Sequence, residues 1–201
     1  MPSSESSLET RPLGVISDFV VQELPQTLSR IRGGLPAYHL AHTADLLTRK
    51  LLTKTAQEAL NHPHQAELAS LDLKMLESGI VHSGATPPAG LETLVNAFSA
   101  TADQPPALTY EEIVIINPPQ DPRLFTQGEI GNSENAFYNG HRKIEGHLDK
   151  VIEGAKAGID LLAANPTTQS TNVVGKNLQT LTDELENIIS GMHTIGLGMP
   201  R

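Results

Sequence analysis

The chain has no cysteine and no tryptophan, and aromatic residues make up only 3% of its 201 positions. Without cysteine there is no disulfide framework, no thiolate nucleophile, no thiolate-bound haem or zinc, and no haem attached through cysteine. With four Phe and three Tyr, a core must rest on Leu, Ile, Val and Ala, which suits helix packing. Positive charge is scarce as well: 14 Lys and Arg stand against 23 Asp and Glu, for a net charge of −9. The basic residues are scattered. A phosphate backbone or an anionic membrane needs a concentrated basic face, so neither nucleic acid nor membrane is an expected partner. No apolar run approaches the roughly 20 residues that span a bilayer, and MPSSESSLETRPLG carries no apolar signal core. The expected location is cytoplasmic.

What is present is helical patterning. Residues 1–14 read as a flexible N-terminal tail and 15–201 as a single helical domain. Phe19, Val20, Leu24, Leu28 and Ile31 recur at helical spacing, with Pro25 as a break or kink. A helix is expected over 36–61, with Leu40, Leu47, Leu51 and Leu60 on or near one stripe, and another over 65–80 carrying Leu68, Leu71, Met75 and Leu76. Pro88 opens a helix containing Leu91, Leu94, Val95 and Phe98. EEIVII at 111–116 has strand propensity, but no second run exists to pair with it, so a buried helical turn or extended connector is expected. An ordered loop should then run through Gly131.

Two long amphipathic helices close the sequence. Ser133 reads as the N-cap of a helix over 133–164, with Phe137, His141, Ile144, Leu148, Val151, Ala155, Ile159 and Leu162 stepping by threes and fours. Leu178, Leu181, Leu185, Ile188, Met192 and Ile195 repeat the pattern over 173–195. Gly140, Gly146, Gly154 and Gly158 each weaken the first of these by about 1 kcal/mol relative to Ala. They either admit a close neighbour, a helix or a flat ligand, or leave the helix loose. No composition break marks a second domain. The fold class is all-α.

Histidine is the sole candidate for a transition-metal ligand. His39 and His42 share a helix face but lack a general base and a third ligand. His62 and His64 flank a proline in a turn. His141 lies on the apolar stripe, where a histidine either ligates haem iron or hydrogen-bonds a buried carbonyl. Arg123 can grip a substrate carboxylate or stand as a loop arginine. Tyr138 and Arg142, one turn apart, line a pocket or form a surface pair. Phosphate loops, GxSxG elbows and Glu-x-x-His carboxylate sites are absent.

The stretch from Gly90 to Arg123, GLETLVNAFSATADQPPALTYEEIVIINPPQDPR, has a grammar of its own: GLExLxxxxxAT, an Asp, a Pro-Pro break, a Thr, an apolar run and Asn-Pro. It resembles the monodechloroaminopyrrolnitrin synthase-like family of the tryptophan and indoleamine dioxygenase superfamily. The resemblance continues through the two long helices and, more loosely, at IRGGLPAY. It implies an all-helical, haem-dependent oxidative or rearranging enzyme of secondary metabolism, acting on tryptophan, another aromatic amino acid or an indole. The family's haem-ligating histidine sits beyond the position where this chain ends, so no proximal ligand carries over to a residue here.

Two functions follow as expectations. One is a haem-dependent oxidoreductase, with Arg123, Tyr138 and Arg142 toward substrate and His141 toward metal, incomplete without a ligating second half. The other is a non-catalytic helical interaction module that serves a helical partner chain or a homo-oligomer. A partner-dependent enzyme predicts an exposed apolar patch along Leu185, Ile188, Met192 and Ile195 when the chain is alone, and a self-sufficient module predicts that face packed.

Overall fold

The computed structural model describes the backbone of residues 10–51, 53–164 and 166–198. Among them there are helices and no strand, as the aliphatic periodicity requires. The chain divides into two compact units, Met1–Asn135 and Ala136–Arg201. The boundary falls inside a helix, so no linker composition betrays it.

Unit 1 begins with an unbroken helical path made of α1 (Val15–Asp18), a π-turn (Phe19–Glu23) and α2 (Leu24–Arg32). Pro25 has no N–H to give, and the path continues across it because the preceding turn widens. The Leu24 N–H reaches back five residues to the Phe19 carbonyl. The tail expected over 1–14 is shorter than that, since Leu13 is fully buried in the core and Arg11 is ion-paired. Residues 1–9 lie outside the described residues.

The helix expected over 36–61 is two: α3 (Tyr38–Lys50) and α4 (Thr53–Leu60), with Leu51 extended at ψ 118°. Leu40, Ala44, Leu47 and Leu51 follow one stripe, but Ala56 is five residues further, about 140° off it in a straight helix. The break re-phases the chain so that Ala56, Ala59 and Leu60 also meet the core.

Helix α5 (Pro63–His82) is the centre of this unit. Pro63 opens it at a position where a missing N–H is harmless. Residues 68–76 are buried without interruption, so the helix is enclosed on all sides by the α1–α2 path, α3, α4 and α6 (Ala89–Thr101). Run 112–116 forms a second π-turn, which realises the helical-turn expectation, with Asn117 N–H on the Glu112 carbonyl at 2.9 Å.

Helix α7 (Gly128–Ala164) starts earlier than expected, so Ser133 is interior and its hydroxyl donates to the Glu129 carbonyl. Glu134 holds the turn before the helix, accepting from the Phe125 and Thr126 backbone N–H groups and the Thr126 hydroxyl. A Cβ at Gly131 would lie 2.7 Å from the Thr126 carbonyl oxygen, so this close return needs glycine. Unit 2 consists of the rest of α7 and α8 (Thr168–Gly198).

Candidate functional site

Arg123, the residue expected to face substrate, is fully buried. Its Nε donates to Asp72 Oδ1 at 2.7 Å, and its remaining nitrogens donate to Asp72 Oδ2 and to the Thr10 and Asp121 carbonyls. The guanidinium is thus directed at α5. The Asn117 side chain clamps the Arg123 backbone, accepting from its N–H at 2.8 Å and donating to its carbonyl at 2.9 Å. Ser17 donates to Asp72 and accepts from the Leu13 N–H, tying the N-terminal path to the same carboxylate.

A second buried ion pair lies two residues along α5. Lys74 Nζ donates to Glu112 Oε1 at 2.6 Å, with both side chains fully buried. Glu112 Oε2 accepts from the Thr109 N–H and hydroxyl, while the Thr109 hydroxyl accepts from the Glu112 N–H, a capping box in front of the π-turn. Nearer the surface, Arg11 bridges Asp121 and Asp18, and those hydrogen bonds, Asp121's first, raise its pKa above the usual arginine value. Sequence reading singled out Arg123 here but passed over Asp72, Lys74 and Glu112. The available signal was two opposite charges in the otherwise apolar LDLKML.

Two described cavities open on unit 1. One, of about 500 Å³, is lined by Leu28, Ile31, Arg32, Gly79, His82, Ser83 and Phe125. The other, of about 610 Å³, has His62, His64, Leu68, Ile115 and Pro118 in its wall. None of Arg123, Tyr138, His141 or Arg142 lines either.

Tyr138, His141 and Arg142 lie together on α7 in unit 2. Tyr138 is buried, and the Phe137 ring packs on His141 with centroids 4.1 Å apart and edge-on to Tyr138 at 6.1 Å. The His141 Nδ1 is 3.0 Å from the Phe137 carbonyl. Arg142 donates to Asn139 Oδ1 at 2.6 Å, and burial lowers its pKa. His39 and His42 are exposed, and no group of three or more His, Asp or Glu among the described residues is placed to hold a metal ion.

Helices α7 and α8 run antiparallel, with a seam that steps by threes and fours: Ile144, His147, Val151, Gly154, Gly158 and Leu161 against Val174, Asn177, Leu181, Glu184, Ile188 and Gly191. The glycines are holes for large partners. A Cβ added at Gly154 would lie 2.7 Å from Leu181, one at Gly191 3.2 Å from Ile144, and one at Gly158 3.8 Å from Val174. At its middle His147 pairs with Glu184, and that hydrogen bond holds the Glu184 carboxyl below its ordinary range.

A second stripe lies one residue on from the seam in each helix: Leu148, Ile152, Ala155, Ile159 and Leu162, and Leu178, Thr182, Leu185, Ile189 and Met192. A one-residue step turns about 100°. Because the helices are antiparallel, those turns carry both stripes to the same side of the hairpin. Ile159 is 67% exposed, Ile189 68% and Met192 60%, with Ile152, Leu178 and Leu185 also exposed. Of the patch expected on α8, Leu185 and Met192 are exposed, Ile188 is buried in the seam, and the Ile195 side chain lies outside the described residues. No helix among the described residues is long and apolar enough to cross a membrane. No family model, no curated protein and no solved structure matches the chain.

Proposed function

We propose that this chain is a helical interaction module whose working surface is the apolar face of the α7–α8 hairpin. The observation that carries the reading is the second stripe. A helix pair that packs only on itself needs one seam, and each of these helices has two. Large exposed apolar patches mark interaction sites, and Ile152, Ile159, Leu185, Ile189 and Met192 form one with heptad regularity. The test uses 8-anilinonaphthalene-1-sulfonate with the chain diluted until sedimentation gives the monomer mass. Enhanced dye fluorescence that Ile189→Glu with Met192→Glu abolishes supports the reading. No enhancement means the chain covers the face itself, and the reading fails.

A haem-dependent enzyme acting on an indole-like substrate is the second reading. What supports it is the resemblance together with the Nδ1 of His141 at hydrogen-bond distance from the carbonyl one turn back, a contact of the kind that orients metal-ligating imidazoles. When bound, haem would supply the oxidative chemistry. The fit extends to that one side chain, because neither described cavity has His141 in its lining. Titration with haemin tests it: a sharp Soret band lost in His141→Ala supports the reading, and its absence removes His141 as a ligand.

A further inference from the structure

From the same face, and resting on the interaction-module reading, we infer that the occupant is a second copy of this chain, docked antiparallel about a two-fold axis near Ile152 to close a four-helix bundle. Stripes of equal length on both helices ask for a partner that is itself a helix pair of matching length, and this hairpin is one. Each helix of a four-helix bundle contacts two neighbours and needs two adjacent apolar stripes, which α7 and α8 both have. The polar residues Lys143, Lys150, Lys176 and Asp183 occupy the other side, so the hairpin offers one face for burial.

Charge sets the register. Asp149 and Lys156 edge the apolar face, and neither has an ion pair among the described residues. They lie three residues before and four after Ile152. A two-fold across the helices near Ile152 therefore places Asp149 of each copy beside Lys156 of the other, twice, whereas a two-fold along the helices lays α7 on α8 of the other copy and brings Asp149 level with Glu186. The same axis passes the middle of the hairpin. Gly154 packs on Leu181, so Ile152 is level with about Asp183, the midpoint of α8, and the copies overlap over all of α8 and most of α7. Size agrees too. Twenty-nine residues of α7 span about 43 Å, and two helices 8–10 Å apart present a face about 18 Å wide. That is about 800 Å² per copy, the burial typical of a stable interface.

Sedimentation of the full chain across nanomolar to micromolar concentration tests this. The expected result is a rise from 21.6 kDa to twice that mass, with dye fluorescence per chain falling in step. Ile152→Glu should hold the chain at 21.6 kDa with helical circular dichroism unchanged. Asp149→Lys and Lys156→Asp should each weaken the dimer about tenfold, and the double exchange should restore it. A chain that stays monomeric yet binds dye overturns the second copy and leaves the docking face to another partner. A monomer that binds no dye overturns both readings. A dimer insensitive to Ile152→Glu uses another surface and overturns the inference.

Discussion

Residues 1–135 and 136–201 are both helical, yet they are held by different means. The first unit wraps four elements around α5 and buries two ion pairs against it, Asp72–Arg123 and Lys74–Glu112. The second zips two helices along a seam in which glycines receive Leu181, Val174 and Ile144. A buried ion pair contributes little net stability, but it is unforgiving, since removal of one partner strands the other without water. A glycine seam allows close approach and sacrifices helix propensity at each position. The first unit is therefore fixed by long-range polar pairing, and the second by local periodicity with one open side.

The harshest way to break the first unit is Asp72→Ala, which leaves Arg123 charged and buried. The expected loss is about 3–5 kcal/mol, read by urea unfolding with a probe in unit 1, while the helical signal of α7 and α8 persists beyond the transition. An unchanged midpoint would mean that the pair is not what orders the loop at 117–123. In unit 2, Gly154→Val overfills the hole for Leu181 and should destabilise the hairpin by about 1–3 kcal/mol. Gly158→Ala sharpens the contrast in the opposite direction. Its Cβ would meet Val174 at 3.8 Å, an ordinary contact, so helix propensity should raise stability by about 1 kcal/mol. Both are measured by thermal unfolding. The smallest effect is that of pH. Glu184 has a folded pKa held below its ordinary 4.5, so its contribution is complete above that value and is lost as pH falls through the folded pKa. Hydrogen exchange in α8 should accelerate on acidification, and Glu184→Gln should flatten that dependence.

The helices of unit 2 were legible because every core residue lies three or four positions from the next. Even there, periodicity did not separate the two stripes: the residues stepping by threes and fours from Phe137 to Leu162 leave out His147, yet it sits in the seam opposite Glu184. In unit 1 the same reading picked out only Leu68, Leu71, Met75 and Leu76 on α5, although residues 68–76 are buried all round. Arg123 was visible as a special residue, but its use was not. Its acceptor Asp72 is 51 positions away, and a loop arginine aimed at a ligand has the same local sequence as one aimed at a helix. The break at Leu51 was hidden for a similar reason, since LTRKLLTKT contains neither Gly nor Pro to signal it.

The sequence by itself determined the fold class, the absence of thiol chemistry, and the placement of helices wherever an apolar residue recurs within one turn. Those properties rest on composition and on neighbours four positions apart at most. The tertiary structure alone decided that Asp72 and Lys74 are buried, that the helical path widens into π-turns before Pro25 and Asn117, and which stripe of α7 meets α8. A charge is buried only where its counter-charge arrives, and the partners of Asp72 and Lys74 come from 51 and 38 residues away, where no local pattern reaches.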